Sequence, residues 1–390
     1  MRIQVPESSF ELRDRPMNEE QSLTAGVLFG LADPLPAEGK VSGYVKVPYS
    51  TDISAYGFIP VPIVIIGNGV GPTALLMGGS QGDEYEGQIA LSRLACDLQP
   101  ADMSGRVIIL PMANSPAARA GLRNSPIDGL NLNRIYPGDV RGRPTAMIAS
   151  FIERHLMTAS DIVVDLHSGG RSLRYQTCAT IMDHSDDGER TRRLALAYAF
   201  GAPMILVSQG FEERNSSGAA LRSGAVRIGV EVGGGESLEK ELVDVTYTGL
   251  QNVLRWAGIL PASSETAKRV KSTVCAVTQV PDYVYAQSKG LFEVAVKLDD
   301  RVEAGAVAGR IYDPLNPLNP PCEVKFSSTG RVVCTRALGP TDIGDCVAHL
   351  AHEYVEHAPG ELERARSSEW VKDRYRGRKP RVRPQGRRAP

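Results

Sequence analysis

The chain has 390 residues, 42% of them hydrophobic and 23% charged, with a formal net charge of −1. That is the balance of an ordinary globular protein of two or three domains, and it gives no reason to expect nucleic acid or a membrane as the main partner. No apolar run reaches the roughly 18 residues a membrane span needs, and the opening stretch (MRIQVPESSFELRDRP) lacks the apolar core of a signal peptide. Six cysteines (Cys96, Cys178, Cys275, Cys322, Cys334 and Cys346) are scattered with no CxxC pair. This usage predicts a reduced, cytoplasmic protein rather than a disulfide framework or a thiolate zinc site.

Residues 1–40 are polar and read as an irregular N-terminal arm. From about Val41 short apolar runs predict strands at Val61–Ile66, Ala74–Met77, Val107–Leu110, Ile162–Leu166, Met204–Val207 and Val226–Val232. Between them, helical patterns run over Gly87–Leu98, Thr145–Met157, Glu189–Phe200 and Leu238–Ala257. Alternating strands and helices predict an α/β domain over 41–262 with a largely parallel sheet. Polar loops just after its strands are then the places where functional side chains converge.

A second, all-β domain is expected over 263–355, where short β-type runs alternate with Gly and Pro turns. Two phrases in it, Val296–Ile311 and Gly330–Leu350, each carry an acidic-Gly turn between β runs, as a weak internal duplication would. The pattern resembles the barrel-sandwich fold of lipoyl and biotinyl domains, without their modified-lysine tip. Residues 356–390 read as a disordered tail, crowded with Arg and Lys from Lys372 onward. It is either a solvated tail or a segment that binds RNA or anionic lipid, and it leaves the rest of the chain acidic.

Four segments carry candidate chemistry. The first is GGSQGDEYEG (Gly78–Gly87), between a strand and a helix, where Asp83 and Glu84 are either functional acids or partners of the helix dipole. The second is DLHSGG (Asp165–Gly170), whose His167 sits at a strand end beside a Gly-rich turn and shares a face with Asp165. The third is the loop RNSPIDGLNLNR (Arg123–Arg134), a solvated loop or a pair of arginines that clamps a carboxylate. The fourth is VEVGG (Val230–Gly234), in which Glu231 interrupts an apolar strand. A carboxylate there is costly unless paired or used as an acid or base.

Taken in order, these four segments resemble the succinylglutamate desuccinylase/aspartoacylase family, a group of zinc carboxypeptidase-like folds. The stretches VPYSTDISAYGFIPVPIVII, GVGPTALLMGG, GRVIILPMANSPA and AFGAP resemble its N-acetyl-diaminobutyrate deacetylase branch, from ectoine degradation. The resemblance covers roughly residues 40–350. It implies a mixed α/β sheet flanked by helices, with a small β domain behind it. It also implies a zinc-dependent amidohydrolase that removes a short acyl group from an N-acyl amino acid. Zinc would be held by Glu84 and His167, with Glu231 as general base and Arg123 polarising the scissile carbonyl. Asn133 and Arg134 would hold the substrate carboxylate. Self-association is left open.

One residue departs from the pattern: the family's first zinc ligand is a histidine, and here it is Gln81. An amide oxygen is a weaker zinc ligand than imidazole. Three outcomes follow from that change. The site binds zinc weakly, it recruits another metal or another imidazole such as His184, or the chain is a catalytically silent binding protein.

Overall fold

The computed structural model describes residues 35–209, 213–262, 271–277 and 282–367. The arm up to residue 34, the onset of the β domain at 263–270 and the basic segment from Lys372 lie outside them.

The chain opens with a hairpin of β1 (Glu38–Pro48) and β2 (Phe58–Asn68), then β3 (Thr73–Gly78), helix α1 (Tyr85–Asp97), β4 (Gly105–Leu110) and the short helix α2 (Ser115–Ala120). After a long loop come α3 (Pro144–Phe151), which continues as a π-type turn over Ile152–Met157, and β5 (Ile162–His167). Next are β6 (Leu173–Met182), α4 (Asp187–Phe200), β7 (Met204–Ser208), α5 (Ser216–Ser223), β8 (Val226–Gly234) and α6 (Lys240–Trp256). The rest is β9 (Thr273–Val277), β10 (Tyr283–Tyr285), β11 (Gly290–Val294), β12 (Arg301–Val302), β13 (Val307–Tyr312) and β14 (Cys322–Lys325). Then follow β15 (Gly330–Arg336), β16 (Pro340–Thr341), β17 (Cys346–Glu353) and a closing helix, α7 (Glu361–Ser367).

The six predicted strands fall within β2, β3, β4, β5, β7 and β8, and the four predicted helices match α1, α3 with its π-type turn, α4 and α6. The sheet is mixed rather than largely parallel. Strands β3, β4, β5 and β8 run parallel in the order β4-β3-β5-β8, while β2 joins β4, and β6 joins β8, antiparallel. The central strands are buried on both faces: every residue of TALLMG in β3 and of IVVDLH in β5 is buried. Strand β2 alternates instead, burying Ile59, Val61, Ile63 and Ile65 on one face. Among the described residues no helix is long and apolar enough to cross a membrane.

Three expectations change at the margins. Strand β1 starts at Glu38, inside the stretch read as an irregular arm. Residues Glu361–Ser367, read as tail, form α7, anchored where the Arg190 guanidinium meets the buried Glu361 carboxylate and Tyr354 donates to Glu361 Oε2 at 3.0 Å. The C-terminal β region also does not stand apart from the main sheet. Strands β9, β17, β15 and β12 extend it beyond β7, to thirteen strands in all among the described residues. Because β15 also pairs with β6, the strands β6, β7, β9, β17 and β15 close into a ring. Its interior holds Cys178, Met204, Leu206, Cys275 and Val333.

A second, four-stranded antiparallel sheet of β14, β13, β11 and β16 lies against this end over a core that includes Val284, Phe292, Ala308, Val324 and Val347. The two acidic-Gly turns match in shape. Ala306 N–H donates to Glu303 O and Asp345 N–H to Asp342 O, with Gly305 and Gly344 both at positive φ.

Candidate functional site

The register of the central strands brings the first, second and fourth segments together. Gly78 of β3 is paired with Leu166 of β5, and His167, the last residue of β5, with Glu231 of β8. The chain leaves β3 into a tight loop that packs so closely on α2 that a Cβ on Gly82 would lie 2.0 Å from the Ala117 carbonyl oxygen. At Gly87 a Cβ would meet Leu166 at 2.6 Å, so glycine lets α1 lie directly on β5. The result sets Gln81, Glu84, His167 and Glu231 at the carboxyl edge of the sheet.

His167 is the hub. Its Nδ1 lies 2.9 Å from Gln81 Oε1 and 3.1 Å from Glu84 Oε2, and its Nε2 lies 2.8 Å from Asp165 Oδ2. Asp165 is fully buried and also takes Arg227 Nη2 at 3.1 Å and the Ser216 hydroxyl. Glu231 Oε2 is buried and, among the described residues, has no hydrogen-bond partner. Arg123, half exposed, lies on the open side with Nη1 at 3.9 Å from Glu84 Oε1.

Burial sets the electrostatics. It pulls the His167 imidazole pKa down, but the carboxylates of Asp165 and Glu84 outweigh it and hold the ring well above its usual range. Burial would raise Asp165, yet His167, Arg227 and Ser216 hold it below the ordinary carboxylate range. Glu84 is raised because desolvation exceeds the help it receives from His167 and Arg123. Desolvation, with the charges of Glu84 and Asp165, outweighs the nearby His167 and Arg123 and pushes Glu231 up to about 8.

The third segment reaches the site through its amides. Asp128, in the middle of that loop, takes both the backbone N–H and the hydroxyl of Thr145 at 2.8 Å, which ties the loop to the first turn of α3. Asn133 Nδ2 lies 3.5 Å from His167 Nε2, and its Oδ1 accepts Ser216 N–H at 2.8 Å. Arg134 Nη1 donates to the Asn133 carbonyl at 2.8 Å. His184 does not serve as a spare imidazole here. Its Nδ1 accepts Asp186 N–H at 3.0 Å and its carbonyl takes the Arg190 guanidinium, which commits it to the start of α4.

Sequence reasoning paired Asp165 with His167 by strand face but missed Asn131, Ser216 and Arg227. Asn131 stood in the quoted loop. Ser216 and Arg227 carried no local signal, because only α5 and β8 folding back onto β5 brings them to Asp165.

Among the described residues, no group of three His, Cys, Asp or Glu side chains is placed to hold a metal. The donors that do converge are Glu84 Oε2, His167 Nδ1 and the amide oxygen of Gln81. Asp165 fixes the far ring nitrogen, as a carboxylate commonly does behind a metal-bound histidine. The set fits a divalent cation through one nitrogen and two oxygens.

Residues 70–257 match the succinylglutamate desuccinylase/aspartoacylase catalytic domain. The chain is 39% identical over 324 residues to an N-alpha-acetyl-L-2,4-diaminobutyric acid deacetylase from Halomonas elongata, spanning 82% of this chain and 93% of that one. Its fold superposes with a TM-score of 0.79 on a succinylglutamate desuccinylase/aspartoacylase from Rhodobacter sphaeroides, at 36% identity over 84% of this chain and 99% of the other. It also superposes, with a TM-score of 0.78 and 35% identity, on the product-bound ectoine utilization protein EutE (DoeB) from Ruegeria pomeroyi, covering 82% and 97% of the two chains. The matches to these proteins cover 82–84% of this chain, well beyond the matched catalytic domain alone, and the chain belongs to the succinylglutamate desuccinylase/aspartoacylase family.

Proposed function

We propose that the chain is a metal-supported amidohydrolase that removes a short acyl group, acetyl first among them, from the nitrogen of an amino acid. The observation that carries this reading is Glu231. A half-buried carboxylate with one buried oxygen that no described residue hydrogen-bonds, pushed up to about 8 beside three convergent donor atoms, is costly to the fold and suited to moving a proton. The likeness to a diaminobutyric acid deacetylase supports the acetyl group and the amino-acid class.

Glu84, His167 and Gln81 would hold the cation, zinc or another divalent metal. When bound, it supplies Lewis acidity, polarising a carbonyl and acidifying water. Glu231 takes the proton of the attacking water and returns it to the leaving nitrogen. Arg123, on the open side of Glu84, stabilises the oxyanion that forms at the scissile carbon. Arg134, with the Asn133 amide, anchors the substrate carboxylate and so fixes the acyl group toward Glu231. Asp165 holds the His167 ring in one tautomer through Nε2.

The test is release of acetate from Nα-acetyl-L-2,4-diaminobutyrate and a panel of other N-acyl amino acids, with Glu231→Gln beside the unmodified chain. Turnover should fall by about 10²–10⁴ in the variant with little change in substrate affinity. Equal turnover in the two proteins would remove Glu231 from the reaction. Gln81 favours one other reading, a binding protein on the same fold. In that case ligands bind, the carboxylate is required, and no acetate is released.

A further inference from the structure

The Gln81 side chain is 2% exposed, and its two amide ends face different partners. Nε2 donates to Asn131 Oδ1 at 2.9 Å, while Oε1 lies against His167 Nδ1. The direction of this amide is forced by its neighbours. The backbone N–H of Asn133 can only donate, and it bonds the same Asn131 Oδ1 at 2.9 Å. Asn131 must therefore present oxygen on that side, and its own nitrogen turns the other way to donate to Asn124 Oδ1 at 3.3 Å. An oxygen at Asn131 requires the NH₂ of Gln81 opposite it. Rotating Gln81 by half a turn would set two oxygens against each other and direct two N–H groups at the His167–Glu84 donors. The relay from Asn133 N–H through Asn131 to Gln81 fixes the Gln81 oxygen as the atom that enters the site.

We infer that Gln81 is an oxygen ligand held in place by Asn131, and that this gives the site a harder donor set whose preference for zinc over manganese is weaker than imidazole at position 81 would give. The inference rests on the reading of Gln81, Glu84 and His167 as a cation site. One imidazole nitrogen, one carboxylate oxygen and one amide oxygen leave a single nitrogen donor. Carbonyl and carboxylate oxygens suit Mn²⁺, whereas a second imidazole mainly helps Zn²⁺. Asn131 is a positioning residue: it touches the ligand and not the cation. An aspartate at 131 offers oxygen to both donors and preserves the relay, whereas a leucine removes it.

The test is equilibrium binding of Zn²⁺ and of Mn²⁺, each alone, to the purified chain by competition with a chelator. Four variants accompany it: Gln81→His, Asn131→Leu, Asn131→Asp and the double variant Gln81→His/Asn131→Leu. Gln81→His should raise the zinc-to-manganese affinity ratio by about tenfold or more. Asn131→Leu should weaken both metals by several-fold in the unmodified background and clearly less in the Gln81→His background, where no amide needs orienting. Asn131→Asp should bind both metals as the unmodified chain does.

An unchanged metal ratio in Gln81→His, or undiminished binding in Asn131→Leu, overturns the inference. So does a chain that binds neither metal until Gln81→His is made, although the location of the cation site would survive that result. If the ratios come out as expected and no acyl amino acid is hydrolysed, the ligand assignment stands and the proposed activity falls.

Discussion

His167 and His349 are buried to a similar degree, 9% and 4% exposed, and their surroundings drive them in opposite directions. His167 has a carboxylate beside each ring nitrogen, which holds the imidazole pKa up against the effect of burial. Among the described residues His349, on β17, has no hydrogen-bond partner for either ring nitrogen. Its ring stacks on Tyr283 at 4.1 Å between centroids, nearly parallel at 8°, and meets Tyr175 edge-on at 6.4 Å. Burial lowers it to about 4, with His352 adding to that effect and Asp282 opposing it. Burial alone therefore does not decide what an imidazole does. One pocket is built to hold charge at the carboxyl edge of the sheet, and the other uses the ring as a flat filler in the β region.

The first way to break this comparison is to remove the charge that defines the His167 pocket. Asp165→Ala leaves the Arg227 guanidinium, about one-tenth exposed, and the buried imidazole without their shared carboxylate. Stability should fall by about 3–5 kcal/mol, the usual cost of stranding one member of a buried charged cluster. Urea unfolding near pH 7 measures it. A loss below about 1 kcal/mol would mean that water reaches the pocket readily, and the two histidines would then differ less than their partners suggest.

How much of this was legible in the chain depends on whether a signal is local. Strands β3, β4, β5 and β8 are short, wholly or mostly apolar runs, and they stand out for that reason. Strand β1 reads EGKVSGYVKVP and buries only Val45 and Val47, so the sequence predicts no strand there and its first three residues fall in the arm. Strand β6 mixes polar and apolar residues, because it serves both the main sheet through β8 and the ring through β15. That double pairing is a long-range contact with no sequence signature, and the β region consequently read as a separate unit. At the site, the glycines and ordered motifs pointed to Glu84, His167 and Glu231. The amide relay through Asn131 depends on which atoms face each other across fifty residues, and no spacing rule reports that.

A smaller effect sharpens the contrast from the other side. A folded His349 takes up a proton only near pH 4, while the unfolded chain does so near 6.5. Between those values the unfolded state binds the extra proton, so stability falls as the pH is lowered through that window. Lowering the pH from about 6.5 to about 4 therefore costs the unmodified chain on the order of 3 kcal/mol of stability, a cost absent above that window. His349→Leu removes it. Near pH 7.5 the variant should be at least as stable as the unmodified chain, since two buried nitrogens without partners disappear. The gap in its favour should then widen as the pH falls from 6.5 to 4. Parallel stability curves for the two proteins would show that His349 finds a proton acceptor in solution.

The smallest expected change tests what the His349 pocket is made of. Tyr283 covers the face of the His349 ring and lies opposite it in the β10–β17 ladder. Aromatic stacking contributes about 0.5–1.5 kcal/mol beyond the area it buries. Tyr283→Leu keeps most of the apolar surface and loses the stack, so the stability cost at pH 7.5 should be about 1 kcal/mol. It should also be much the same in the His349→Leu background only if the stack contributes nothing. A clear reduction of the cost in that background gives the coupling between the two rings directly. Full additivity would make Tyr283 an ordinary wall of the β core. The neutral state of His349 would then rest on burial alone, with no contribution from its aromatic neighbour.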